Sequence, residues 1–134
     1  MLHSHETLQY ELRSLEIVHG LGPRDAVLMP SPLAHVSGLL HAVLMPFVLG
    51  TRAVLMDSWN AARALETIER ESITYMVGAP VFLSELAFHP EVSRRPPATL
   101  RLFSCGGAGV SAELIRESRR RLFGLDLKPV KKIP

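Results

Sequence analysis

The chain has 134 residues, of which 47% are hydrophobic and 21% are charged, and this apolar share excludes wholesale disorder. Fifteen basic and 13 acidic residues leave a net charge of only +2, which argues against a nucleic-acid-binding protein. The single cysteine, Cys105, excludes a disulfide framework and a multi-cysteine zinc site.

The first predicted element is a helix, because Leu8, Leu12 and Leu15 recur at helical spacing. Four short apolar runs follow along the chain, at residues 26–29, 53–56, 73–77 and 100–105. These runs lack polar alternation, which is typical of strands that are buried on both faces of a parallel sheet.

Helical segments lie between the predicted strands. Residues 37–49 are apolar almost all round, which predicts a buried helix that kinks or ends near Pro46. Ser111 is a candidate N-cap for the last helix. One helix followed by four βα units predicts an α/β fold with a mostly parallel sheet.

The sequence changes character after Gly124. Residues 125–134 contain three lysines and two prolines, and no further strand-and-helix unit is visible. We therefore predict a partial α/β subdomain over residues 1–124, which is an incomplete piece of a larger sheet, and a basic tail over residues 125–134.

Ligands of open parallel sheets bind beyond the carboxyl ends of the strands. Four loops are expected there, at residues 30–36, 57–59, 78–80 and 106–109. These loops are the predicted location of a binding site.

Most of these loops carry motifs that resemble a known family. Residues 32–38 spell P-L-x-H-x-x-G, residues 78–80 spell G-x-P, and residues 100–108 spell L-R-x-x-x-x-G-G-A. Together with residues 3–8 and the G-T-x-x-V-L segment from Gly50, they resemble, in order and spacing, the AMP-forming acyl-CoA synthetases. This family shares its fold with firefly luciferase and nonribosomal adenylation domains, so the resemblance implies a fragment of an adenylate-forming N-terminal domain.

The resemblance implies an ATP-dependent acid–thiol ligase for an apolar carboxylic acid such as a fatty acid. The carboxylate attacks the α-phosphate of ATP, which gives an acyl-adenylate and pyrophosphate, and the CoA thiol then attacks the activated carbonyl. ATP, Mg²⁺ and CoA are the implied cofactors of the parent family, and we expect none of them to bind tightly to this fragment. A parent enzyme that loads an amino acid or aryl acid onto a carrier protein is an alternative within the family.

Three parts of the family's site are not found in the sequence. They are the phosphate loop that ends in P-K-G, the Y-G-x-T-E segment, and the C-terminal domain with its catalytic lysine. The Y-G-x-T-E segment is expected after Gly124, where residues 125–129 read L-D-L-K-P. We therefore expect the isolated chain to be inactive.

The resemblance implies roles for two groups of residues. It places His35 as a gate where the carboxylate and the thiol meet, and it implies an acyl pocket formed by His35, Ser37, His41, Gly78 and Pro80. For both histidines, a ring that is satisfied by local backbone or by a neighbour remains the alternative.

The G-G-A segment is the implied nucleotide-binding element. The resemblance places Gly106, Gly107 and Ala108 against the adenine, where small residues let a flat ring approach the backbone. A tight βα turn that needs positive φ explains the glycines equally well.

No metal site is predicted, because His3, His5 and Glu6 lack further ligands at a telling spacing. Cys105 has no recognisable base nearby and is expected to be a small buried residue. The run of residues 119–121 is basic and suits either a phosphate or acidic membrane surface, or a solvated helix face.

A non-catalytic binding module, or one piece of a split enzyme that pairs with a complementary fragment, is the alternative function. The most apolar run, residues 39–49, is interrupted by His41 and Pro46 and is too short to span a bilayer. The amino terminus lacks the long apolar stretch of a signal peptide. We therefore expect a cytoplasmic protein with small-molecule partners, without nucleic acid and without a transmembrane segment.

Overall fold

The computed structural model describes residues 3–122 and 124–129. Five parallel strands form one sheet in the order β2-β1-β3-β4-β5. The strands are β1 (Ala26–Met29), β2 (Arg52–Leu55), β3 (Tyr75–Gly78), β4 (Leu102–Cys105) and β5 (Asp126–Pro129). The predicted α/β fold with a mostly parallel sheet is confirmed.

The helices alternate with these strands along the chain. They are α1 (His5–His19), α2 (Val36–Gly38), a π-helical stretch (Leu39–Leu44), α3 (Met45–Leu49), α4 (Ala61–Arg70), α5 (Pro80–Ala87), α6 (Pro90–Arg94) and α7 (Ala112–Arg121). The side chains of Ser4, Asn60 and Ser111 cap α1, α4 and α7 by accepting a hydrogen bond from a backbone N–H of the first turn. None of the helices in residues 3–122 is long and apolar enough to cross a membrane.

Helices cover both faces of the sheet. One core lies between the sheet and α1 with the helical residues 36–49, and the other lies between the sheet and α4, α5 and α7. Because of this double cover, every residue of β1 and β4 is buried. This explains why the sequence of these strands lacks polar alternation.

The prediction that residues 125–134 form a basic tail without a further strand-and-helix unit is wrong in part. The segment Asp126–Pro129 forms β5 and pairs in parallel with β4, with Leu102 opposite Asp126 and Cys105 opposite Pro129. Leu127 is buried, whereas its neighbours Asp126 and Lys128 form a salt bridge with each other. These two polar residues hid the strand, and residues 130–134 of the predicted tail lie outside the described residues.

The prediction of a helix buried on all sides over residues 37–49 is also wrong in part. The helical stretch is continuous, and Pro46 lies in the first turn of α3, just after the π-helical stretch ends. Leu40, Met45 and Leu49 pack on the sheet. Phe47 and Val48 point away from it, and Phe47 is 85% exposed.

An ion pair ties the amino ends of the strands together. The Arg101 guanidinium donates to both carboxylate oxygens of Asp25 at 2.9 Å, and the Thr74 hydroxyl donates to the same carboxylate at 2.7 Å. Arg101 also donates to the carbonyl oxygens of His19 and Gly20, which end α1. We call Asp25, Thr74 and Arg101 the amino-edge clamp, because it joins α1 to the starts of β1, β3 and β4.

The amino-edge clamp keeps the Asp25 carboxyl group ionised. Burial alone raises the pKa of the Asp25 carboxyl, but hydrogen bonds from Arg101, Thr74 and the Gly22 N–H lower this pKa below its ordinary value. Asp25 is only 8% exposed, so the clamp keeps an ionised carboxylate largely out of water.

Candidate functional site

Three of the predicted loops lie at the carboxyl edge of the sheet, where the strands end. Residues 30–35 follow β1, residues 79–80 follow β3, and residues 106–109 follow β4, and these three strands are neighbours in the sheet. The Gly106 N–H donates to the Gly78 carbonyl oxygen at 3.0 Å, which joins the last two loops. The sheet therefore brings the loops of His35, Gly78 and Gly106 to one side of the molecule.

The loop after β1 is held by its own backbone. The His35 N–H donates to the Pro32 carbonyl oxygen at 3.0 Å, which closes a turn. Gly38 lies beneath this turn, and a Cβ added to it would be 2.3 Å from the Pro32 oxygen and 2.8 Å from the Leu33 Cα. The P-L-x-H-x-x-G motif thus has a physical reason, because only glycine lets the turn pack this closely on the helix start.

The His35 ring is exposed and points to its own helix start. Its Nδ1 accepts a hydrogen bond from the Ser37 N–H at 3.2 Å, so His35 is the N-cap of α2. The Ser37 hydroxyl lies 2.7 Å from the same Nδ1. Ser37 is half-buried, and its hydroxyl oxygen contacts the histidine ring, while its contact with an acyl chain stays a prediction.

Gly78 and Pro80 lie where β3 passes into α5. Pro80 occupies the first turn of α5, where its missing N–H costs nothing. A Cβ at Gly78 would be 2.6 Å from the Phe82 ring. That ring packs against Trp59 with centroids 4.7 Å apart, so the loop after β2 also reaches this edge.

The contact between Trp59 and Phe82 was not predicted from the sequence. Trp59 lies within the predicted loop 57–59, but nothing in the sequence indicates that its ring meets α5. The Trp59 indole N–H donates to the Glu85 carboxylate, which fixes the ring on the helix. The one tryptophan of the chain was the available signal, because a half-buried indole in a strand-end loop usually has a partner.

The G-G-A segment is an open turn. Gly107 has φ +86°, a conformation that favours glycine, and a Cβ there would meet nothing within 4 Å. Gly107 and Ala108 are exposed and Gly106 is half-buried. Positive φ therefore accounts for Gly107, and the adenine contact of Gly106, Gly107 and Ala108 stays a prediction.

His41 lies elsewhere in the molecule. It is 6% exposed, and its ring packs edge-on against Tyr75 with the centroids 5.6 Å apart. Tyr75 is the first residue of β3 and Gly78 is the last, so His41 contacts the end of β3 remote from the candidate site. Burial, and then the nearby charge of His19, lower the pKa of His41 to about 4. The observed contact fits a buried histidine that meets a neighbour, and a role in the acyl pocket stays a prediction.

The two main cavities lie away from the carboxyl edge. A cleft of about 420 Å³ is lined by residues of α6 and α7, including Ser93, Arg120 and Arg121. A second cleft of about 400 Å³ lies between α4 and residues 95–99. Neither cleft is lined by His35, Gly78 or the G-G-A segment.

The described residues contain no group of three or more His, Cys, Asp or Glu side chains that could hold a metal ion. Cys105 is buried at the end of β4, and burial raises the pKa of its thiol to about 11. A thiol with such a pKa is a poor nucleophile, which fits a packing role.

Comparison with known proteins decides the family. Residues 1–131 match the family described as AMP-binding enzyme. The chain belongs to this family. It is 36% identical over 98 residues to the medium-chain fatty-acid–CoA ligase of Escherichia coli (strain K12), and these residues are 73% of this chain and 17% of that ligase. The chain thus spans less than a fifth of the length of this relative.

Solved structures agree on the fold. The N-terminal domain of FACL13 from Mycobacterium tuberculosis superposes with a TM-score of 0.83 at 23% identity, covering 93% of this chain and 31% of that one. The o-succinylbenzoate coenzyme A synthetase from Bacillus subtilis, in complex with ATP and magnesium ion, superposes with a TM-score of 0.82 at 22% identity, covering 92% of this chain and 25% of that one. The resemblance to the N-terminal domain of AMP-forming ligases is confirmed, and the family match extends past Gly124 to residue 131.

Proposed function

We propose that this chain supplies part of the N-terminal domain of an ATP-dependent ligase, which activates an apolar carboxylic acid as the acyl-adenylate and transfers it to CoA. The observation that carries the proposal is the carboxyl edge of the sheet. There a histidine lies in a backbone-locked turn after β1, and the neighbouring strands β3 and β4 end in two joined glycine loops. The name of the Escherichia coli relative, a medium-chain fatty-acid–CoA ligase, supports an apolar acid.

Each loop has a separate task in this proposal. Gly106, Gly107 and Ala108 face the adenine of ATP, and His35 faces the carboxylate, with Ser37, Gly78 and Pro80 beside the acyl chain. ATP supplies the phosphorus that the acid attacks, and Mg²⁺ balances the charge of its phosphates. The proposal includes a cytoplasmic location, with ATP and CoA as the small-molecule partners.

We further propose that the isolated chain is inactive. Adenylate formation needs cationic groups and metal at the phosphates, because charge builds on their oxygens. The loops at residues 30–36, 78–80 and 106–109 contain no lysine or arginine. These three loops therefore lack charge of the sign that the reaction demands.

A chimera tests this proposal. The matching segment of the Escherichia coli ligase is replaced by residues 3–124 of this chain, and ATP–pyrophosphate exchange is measured with medium-chain and aryl acids. We expect exchange with apolar acids from the chimera and none from the isolated chain. A His35→Ala chimera is the matched control for the site, and we expect it to lose most of the exchange.

Two results would contradict the proposal. A folded chimera without exchange for any acid would argue against the proposed ligase site. Robust exchange by the isolated chain would remove the claim that it is inactive.

A second candidate function is supported by the outer surface of α1 and α3. These helices cover the same face of the sheet, and they expose Ile17 (82%), Tyr10 (75%) and Phe47 (85%) to solvent. Large contiguous apolar patches mark protein contacts, and these three exposed side chains are candidates for such a patch. On this view the chain docks through these residues onto a complementary piece of a split enzyme, and this pairing is a proposal that we test below.

A further inference from the structure

The contacts of the His35 ring determine which of its nitrogens carries the proton. The Ser37 N–H can only donate a hydrogen bond, and it points at the His35 Nδ1 from 3.2 Å. A proton on Nδ1 would face this N–H, and a peptide group cannot turn round to relieve the clash. In the neutral ring the proton therefore resides on Nε2.

The Ser37 hydroxyl is a second partner of the same nitrogen, and because a hydroxyl can donate or accept, the N–H alone selects the tautomer. The hydroxyl oxygen lies 2.7 Å from Nδ1, the shorter of the two contacts. Since Nδ1 is an acceptor, the hydroxyl is the donor in this pair. Two donors on one acceptor also fix the orientation of an otherwise exposed ring, which the turn at Pro32 and the close contact at Gly38 already hold through the backbone.

We propose that Ser37 is a positioning residue that presents His35 to the site as an Nε2–H hydrogen-bond donor. This inference rests on the proposed function and refines it. The group that His35 meets is then an oxygen acceptor, such as the carboxylate or the developing acyl carbonyl of the substrate. A neutral His35 that takes a proton from a thiol at Nε2 needs the opposite tautomer, which the Ser37 N–H opposes.

A purely structural role for these contacts makes a different prediction. The same N–H bond caps α2 and needs Nδ1 as its acceptor, so capping alone also gives the Nε2–H tautomer, but it assigns the hydroxyl no part in the reaction. The effect of the hydroxyl on kcat/KM therefore distinguishes a positioning role from a capping role, and the position of the proton on His35 tests the tautomer.

The test is nuclear magnetic resonance on the full chain with ¹⁵N-labelled histidine. Long-range ¹H–¹⁵N correlations report which ring nitrogen is protonated, and a His35→Gln variant assigns the signals. We expect His35 in the wild type to carry its proton on Nε2 with Nδ1 unprotonated. Ser37→Ala keeps the backbone N–H that selects the tautomer, so we expect the proton of His35 to stay on Nε2 in this variant.

Two further variants serve as controls. Ser37→Thr keeps both the N–H and a hydroxyl, so we expect the proton on Nε2 in this variant as well. Ser14→Ala removes a hydroxyl that bonds the Tyr10 carbonyl within α1, so we expect the His35 signals to stay unchanged. A proton on Nδ1 in the wild type or in Ser37→Ala would overturn the proposal.

The chimera described above separates this inference from the proposed function. There we expect Ser37→Ala to lower kcat/KM for adenylate formation about five-fold and Ser37→Thr to restore it. An inactive parent chimera would count against the proposed function while the tautomer of the isolated chain still decides this inference. An active chimera with the proton of His35 on Nδ1 would reject this inference alone.

Discussion

The two edges of the sheet are built from opposite chemistry. At the amino edge, a salt bridge between Arg101 and Asp25 gathers the Thr74 hydroxyl and the last carbonyl oxygens of α1. At the carboxyl edge, the loops that hold His35 and the G-G-A segment are short of charge and largely exposed. One edge holds the fold together, and the other leaves backbone open for a ligand.

This difference shows that a family motif can serve two purposes. The L-R-x-x-x-x-G-G-A segment begins at the amino edge with Arg101 and reaches the carboxyl edge with Gly106. Its arginine contacts Asp25 and α1, and none of its described bonds reaches the candidate site. Residues of one motif are therefore not all site residues.

The largest effect on stability is expected when the amino-edge clamp is broken. Arg101→Met keeps the apolar stem but leaves the Asp25 carboxylate buried without its cation. An uncompensated buried charge costs several kcal/mol, so we expect the free energy of unfolding to fall by about 4 kcal/mol. Urea denaturation of the wild type and the variant measures this loss.

Arg52→Met is the matched control for this prediction. Arg52 pairs with Glu71 on the surface, where its side chain is 52% exposed. An exposed pair contributes about 0.5 kcal/mol, so we expect a loss of that size. Equal losses of unfolding free energy in the two variants would mean that the amino-edge clamp contributes no more to stability than an exposed ion pair does.

A smaller effect is expected from acid, through the buried histidine beside Tyr75. Because burial lowers the pKa of His41 from 6.5 to about 4, the unfolded chain binds a proton in this range that the folded chain does not. The contribution of His41 to stability is thus complete above pH 6.5 and is lost as the pH falls to about 4, by up to about 3 kcal/mol. His41→Gln should flatten the profile of unfolding free energy against pH in this window.

The comparison with an exposed histidine isolates this contribution. His5 begins α1 and is exposed, so His5→Gln should leave the pH profile of the wild type intact. Asp25 adds a further loss at lower pH, because its lowered pKa means that stability is lost once its carboxylate is protonated. A profile that keeps its full slope between pH 6.5 and 4 in His41→Gln would contradict the assignment.

The smallest effect on stability is expected from substitutions on the outer surface of α1 and α3, which is part of neither edge of the sheet. The double variant Ile17→Gln, Phe47→Gln changes side chains that are 82% and 85% exposed, so the free energy of unfolding should change by less than about 0.5 kcal/mol. If this surface docks onto a complementary piece of a split enzyme, it is an uncovered apolar patch when that piece is absent, so the wild type should self-associate through it and the variant should associate less.

Sedimentation velocity over a range of concentrations measures this difference. Glu85→Gln on α5 is a control on the opposite face of the sheet, and it should associate as the wild type does. A wild type that stays monomeric at all concentrations would remove the support for the second candidate function.

The sequence predicted the strands that are covered on both faces. Residues 26–29 were predicted as a strand and form β1, because a run without polar residues can only be buried from both sides. β5 was missed because Asp126 and Lys128 interrupt its apolar character and leave one buried leucine, Leu127. Alternation of apolar and polar residues indicates a half-buried strand, but over so few residues and with Pro129 at the end this signal is weak.

The sequence predicted where the candidate-site residues lie in the fold better than it predicted which residues they contact. The location of His35 after β1 follows from the rule for parallel sheets, and the structure agrees. The contact of His41 with Tyr75 joins residues 34 positions apart, and the clamp joins Asp25 and Arg101 across 76 positions. No local pattern encodes such pairs, because they depend on which strands become neighbours in the sheet.

Strand β4 joins the two edges of the sheet, and its length sets the distance between them. Four residues of β4 separate Arg101 from Gly106, and a strand advances about 3.3 Å per residue, so the arginine and the glycine stand about 16 Å apart. One inserted residue in β4 would reverse the faces of the side chains beyond it and pull one end out of place. The distance between arginine and glycine in this motif therefore measures the depth of the sheet, and a chain that needs both edges has little freedom to change it.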